Sequence, residues 1–89
     1  MTQTIIASVD SVTWFGFYAT SNTPGTAPKL NVSLPRSFGN PPNDERDRMC
    51  RENVIWLGKN VEIKAKDYFA TSGTVWADVQ AESVSEVPF

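Results

Sequence analysis

Two-residue alternation of apolar and polar positions governs most of this chain. In residues 29–34, KLNVSL, Leu30, Val32 and Leu34 face one way while Lys29, Asn31 and Ser33 face the other. That pattern predicts a half-buried strand. Residues 60–70, NVEIKAKDYFA, alternate again: Val61, Ile63 and Ala65 on one face, Glu62, Lys64, Lys66 and Tyr68 on the other. Thr71-Ser72-Gly73 predicts a hairpin turn. Residues 74–80 then pair back, with Val75, Ala77 and Val79 inward and Trp76 outward. Residues 4–20 are rich in β-branched and aromatic types and show no helical period. They predict one long strand, or two strands bent near Asp10 and Ser11.

The period changes once. After the loops at residues 21–28 and 36–43, the run NDERDRMCRENVIWLG predicts a helix over residues 44–57. Asn43 or Asp44 can cap it, and acids crowd its first turn, where the helix dipole favours them. Cys50, Val54 and Leu57 form an apolar stripe at i, i+4 and i+7, and Gly58 can end the helix. The order is three strands, a helix and two strands. That order predicts a mostly β fold: a five-stranded OB-fold-like barrel with one helix between strands 3 and 4. An SH3-like barrel or another small α+β domain is the alternative. The domain is expected over residues 1–80, with residues 81–89 as an acidic C-terminal tail.

Composition narrows the chemistry more than the fold. At 89 residues, with 40% hydrophobic and 20% charged, the chain makes one small globular domain. It contains no histidine and one cysteine, Cys50. A Cys-His dyad, a Ser-His-Asp triad and a His- or Cys-rich zinc site are excluded. Asp44, Glu45 and Asp47 could form a carboxylate metal site on paper, but they read better as helix-start acids. Gly58-Lys59 lacks the upstream glycine of a phosphate loop. The expectation is a binding protein without cofactor, not an enzyme. A single thiol allows no intrachain disulfide and suits a reducing cytoplasm. The N-terminus has neither a basic flank nor a long apolar run, so no signal peptide and no membrane span are expected.

Net charge is −2, but all eight basic residues lie between Lys29 and Lys66. Interleaved with them are aromatics. Alternation puts Lys64, Lys66 and Tyr68 on one strand face with Trp76 across from it. Trp14 and Tyr18 share one face of the first hairpin, and Phe15 and Phe17 the other. Flat rings that stack on bases, with Lys or Arg for the phosphates, are the means of binding single-stranded nucleic acid. Trp14, Tyr18, Tyr68 and Trp76 are the candidate stacking residues. Lys29, Arg36, Lys64 and Lys66 are the candidate backbone contacts. Phe15, Phe17, Trp56 and Phe69 are read as core. Arg46, Arg48 and Arg51 read as helix-surface partners of Asp44, Asp47 and Glu52.

The chain ends Glu82-Ser83-Val84-Ser85-Glu86-Val87-Pro88-Phe89. This ending resembles the acidic tip of bacterial-type single-stranded DNA-binding proteins, which closes on an aliphatic residue, proline and phenylalanine. The resemblance implies that Glu86, Val87, Pro88 and Phe89 recruit replication or repair proteins. It also implies a homo-oligomer on single-stranded DNA in a bacterial or phage-infected cytoplasm. From Lys29 to about Gln80 the layout is similar to the OB domain of ATP-dependent DNA ligases. There, too, an acidic-basic helix like Asp44–Arg48 precedes a strand opened by Gly-Lys, like Gly58-Lys59, and a Thr-x-Gly turn, like Thr71–Gly73. That similarity implies fold and nucleic-acid context, and no ligase activity. The rival expectation, from the low pI of 4.9, is a small acidic phage protein that binds and inhibits a host protein. A minor virion component is a third.

Overall fold

The computed structural model describes residues 3–87. Five strands form a closed barrel: β1 (Gln3–Val12), β2 (Gly16–Ser21), β3 (Lys29–Ser33), β4 (Asn60–Ala70) and β5 (Trp76–Glu86). Around the barrel the order is β1-β2-β3-β5-β4, with β4 returning to β1. All neighbours are antiparallel except β3 and β5, which run parallel. One helix, α1 (Asn43–Asn53), lies between β3 and β4. The architecture is therefore an OB-like barrel, as the order of periods predicts. Among the described residues no helix is long and apolar enough to cross a membrane.

The core is the inner face of each strand. Ile5, Ala7 and Val9 of β1, Phe17 and Ala19 of β2, and Leu30 and Val32 of β3 are buried in it. Val61, Ile63 and Ala65 of β4 meet Ala77, Val79 and Ala81 of β5 there. Removing this much aliphatic surface from water is the main stabilising term for so short a chain.

Closure of the barrel bends the strands, and the bends are bulges. In β1, Val9 pairs with Ala19 but Ser11 pairs with Tyr18, so Asp10 is an extra residue. Ala65 pairs with Ala81 and Asp67 with Gln80, which makes Lys66 extra in β4; Lys64 pairs with Ser83, which makes Glu82 extra in β5. Each bulge shifts the parity of the residues that follow, since side chains alternate strictly with a period of two. Beyond their bulges Val12, Tyr68 and Val84 all pack against the core.

Three expectations are corrected here. The bend near Asp10 and Ser11 is a bulge inside β1, and the turn comes later, at Thr13–Phe15. Tyr68 points to the core side, not outward, because of the bulge at Lys66. The segment from residue 81, expected as a tail, is the second half of β5, with Ala81 fully buried. Lys59 pairs with Glu86 at 3.2 Å, and Val87 N–H donates to Asn60 C=O at 3.0 Å. Pro88 and Phe89, the expected docking residues, lie outside the described residues.

The helix differs from its predicted stripe. Pro42 precedes α1 and offers no side-chain cap; α1 ends at Asn53 and a 3-10 turn, Val54–Trp56, follows. Gly58, at φ +76°, ends this segment as predicted. Met49 and Asn53 are the buried residues of α1, while Val54 and Leu57 are half exposed. The stripe is rotated by one position because Asn53 is needed inside. Its Nδ2 donates to Thr13 C=O at 2.8 Å and to Trp14 C=O at 3.3 Å. The helix thereby holds the β1–β2 turn.

Candidate functional site

The β1–β2 turn is tied from two sides. Thr13 N–H donates to Gly16 C=O at 2.9 Å, and Gly16 N–H donates to Thr13 Oγ1 at 3.0 Å. Gly16 lies so close to β3 that a Cβ there would stand 2.1 Å from Val32 O, so only glycine fits. Leu34 N–H closes the turn from β3 by donating to Phe15 C=O at 2.7 Å.

This fixed turn sets out a row of four rings over the outer face of β2, β3 and β5. Trp14 meets Phe15 edge to face, with centroids 5.4 Å apart. Phe15 meets Tyr18 at 6.1 Å, and Tyr18 meets Trp76 at 5.5 Å. Edge-to-face pairs hold ring orientation beyond what area burial alone gives. Trp76 retains 41% exposure. Two shallow hollows of ≈ 370 Å³ each lie along the row. One is lined by Trp14, Phe15, Phe38 and the polar residues Asn31, Ser33, Ser37 and Gln80. The other is lined by Tyr18, Trp76, Asn31 and Asp78. Each is large enough for one ring-sized group.

Cations stand at both ends of the row. At the Trp14 end, the Arg46 guanidinium lies 4.4 Å from the ring centroid. It is held there by donating from Nε to Pro41 C=O at 2.9 Å and from Nη2 to Asn40 Oδ1 at 2.6 Å. Arg36 lines a small cavity beneath Trp14 and is ion-paired with Glu52. At the other end Lys29 is the cross-strand partner of Trp76. Its Nζ donates to Thr20 Oγ1 at 3.0 Å and stands 3.8 Å from Asp10 Oδ2.

Of the eight sequence-derived contact residues, five come together here: Trp14, Tyr18, Trp76, Lys29 and Arg36. Three do not. Tyr68 accepts from Ala27 N–H at 2.7 Å through its hydroxyl and pins the loop before β3. Lys64 is exposed between Thr4 of β1 and Ser83 of β5, on a different wall of the barrel. Lys66 is exposed in the β4 bulge. Glu86 and Val87 are engaged at the end of β5, as above. Three residues of the site were missed. The sequence pattern assigns Phe15 to the core, although it shares the outer row with Tyr18 while Phe17 alone turns inward. Phe38 lies in a loop that carries no periodicity. Helical spacing assigns Arg46 to ion pairs, and only the fold brings Trp14 beneath it. Phe69, also read as core, is 58% exposed on the outside of β4, paired with Asp78.

Asp44, Glu45 and Asp47 remain exposed on the first turn of α1. Among the described residues no three carboxylates or thiols gather as metal ligands. No family model, no curated protein and no solved structure matches this chain.

Proposed function

We propose that this barrel binds single-stranded DNA across the outer face of β2, β3 and β5. The observation that carries the reading is the row Trp14–Phe15–Tyr18–Trp76, partly exposed on one face with a cation at each end. Partly exposed rings along a shallow track suit successive unstacked bases, each worth about 1–3 kcal/mol. The cations suit the phosphates at the two ends. With Lys29, Arg36 and Arg46 as the backbone contacts, about three phosphates are neutralised. The logarithm of affinity then falls with the logarithm of salt with a slope near −2, from roughly −0.7 per phosphate on a single strand.

The test is a titration with a mixed-sequence single-stranded oligonucleotide, read by tryptophan fluorescence. Trp14 and Trp76 lie in the row, so stacking quenches them, and the quenching weakens with salt at the stated slope. Absence of quenching at about 50 mM salt, where phosphate contacts are strong, overturns the reading. Removal of Pro88 and Phe89 leaves this titration unchanged if the end of the chain serves partner proteins. One observation favours a second reading, an acidic module that binds and inhibits another protein: Lys29 and Arg36 both already face carboxylates. Under it, oligonucleotides leave the fluorescence unchanged at every salt concentration.

A further inference from the structure

The hollow walled by the Tyr18 and Trp76 pair has Asn31 and Asp78 as its floor, and these two face each other across the parallel β3–β5 pair. Asn31 Nδ2 donates to Asp78 Oδ1 at 3.2 Å. That bond fixes the amide orientation, because a carboxylate accepts and never donates. Asn31 Oδ1 is left enclosed and without a partner. The floor therefore presents the exposed Asp78 carboxylate, whose Oδ2 is not engaged by Asn31, as its acceptor.

An acid in this position works against a phosphate track, since it repels the backbone. On the floor of a hollow walled by rings it meets the edge of a stacked base instead. The bases differ there in what they can donate. Guanine offers two adjacent donors, N1–H and the N2 amino group, in a spacing that a carboxylate accepts with both oxygens. Cytosine and adenine offer one amino group each. Thymine flanks its single N–H with two carbonyl acceptors, which face the Asp78 carboxylate unfavourably.

Resting on the single-stranded DNA reading, we propose that the Tyr18–Trp76 hollow is a base-selective subsite. Asp78 there favours guanine and disfavours thymine. The face as a whole stacks any base, and this one position reads a base edge.

The experiment compares an all-thymine oligonucleotide of about 12 nucleotides, within the site sizes known for such barrels, with the same strand carrying one central guanine, cytosine or adenine. Competition against a labelled strand gives the affinity ratios. The guanine strand binds about fivefold tighter or more, the factor expected of one good bidentate base contact. Cytosine and adenine strands fall between. In Asp78→Asn the guanine-to-thymine ratio drops toward one, even as loss of a negative charge raises affinity for every strand. The ratio is the readout because a uniform electrostatic gain cancels in it. Equal binding of guanine and thymine strands by the unaltered protein overturns the subsite and leaves the DNA reading standing. A ratio that survives Asp78→Asn overturns the role of Asp78. Failure of all four strands to bind overturns both readings.

Discussion

Two walls of one barrel divide what a nucleic-acid-binding surface needs. The outer face of β2, β3 and the first half of β5 carries the rings, with cations only at its ends. The wall of β1, β4 and the second half of β5 carries Lys64, with Lys66 in the bulge beside it, among Thr4, Ser83 and Ser85. The first wall has four rings without dense charge; the second has its lysines away from rings, since the one exposed ring of β4, Phe69, sits at its far end beside Asp78. The difference teaches that local sequence puts residue types on strands, while bulges and closure decide which of them share a wall. It also ranks the two: rings are the scarcer resource, and a face that gathers four of them is the one to test.

The sharpest test uses adjacent residues of β2 that point opposite ways. Phe17 is fully buried, whereas Tyr18 lies in the outer row. Phe17→Ala should cost about 3–5 kcal/mol of stability by urea unfolding, from lost burial plus the cavity left behind. In a domain of this size that is a large share of the total. Tyr18→Ala, or Trp76→Ala, should cost less stability, about 0.5–1.5 kcal/mol for each ring pair lost, and weaken oligonucleotide binding by about 1–3 kcal/mol. If Tyr18→Ala unfolds the domain instead, the row is core packing and the contrast between faces collapses.

Next in size is the turn that presents the row. Gly16→Ala drives a methyl group against the backbone of β3 at Val32. Backbone has little room to yield, so a loss of about 1–3 kcal/mol is expected in thermal or urea unfolding. Asn53→Ala should cost a similar amount, about 1–3 kcal/mol, by leaving the Thr13 and Trp14 carbonyls without their donor. It acts on the other side of the same turn. Both should also lower the affinity for DNA in the fraction that folds, because Trp14 and Phe15 lose their fixed place.

The sequence made the barrel legible because element order needs only the periods and the breaks between them. Pro35, Gly58 and the Thr71–Gly73 turn punctuate elements whatever the details of pairing. The outward position of Trp76 was legible too: no bulge separates it from Ala77 and Val79. Tyr68 was not, for the opposite reason. Alternation carried through Lys66 puts it outside, and a bulge has no signature in the polar pattern itself. The second half of β5 was hidden similarly. Ala81 and Val84 are three apart, which matches no alternation until Glu82 is counted as extra. Its many acids and serines then read as a tail. Arg46 over Trp14 joins residues 32 positions apart, on a turn and a helix, and that contact exists only after closure.

The smallest expected effect separates the walls most directly. Lys29 stands beside Trp76, and Lys64 and Lys66 do not share its face. Lys29→Ala should remove one phosphate contact and flatten the salt slope by about 0.7. Lys64→Ala combined with Lys66→Ala removes twice the charge. If sequence alternation had placed the interface, that double change should flatten the slope by twice as much. On the wall division it should leave the slope unchanged and shift affinity by no more than about twofold at physiological salt. Charges off the binding face act only through solvent, and there a Debye length of about 8 Å screens them. Because charge removed and effect expected run in opposite orders, the slopes of these two variants decide which wall meets DNA.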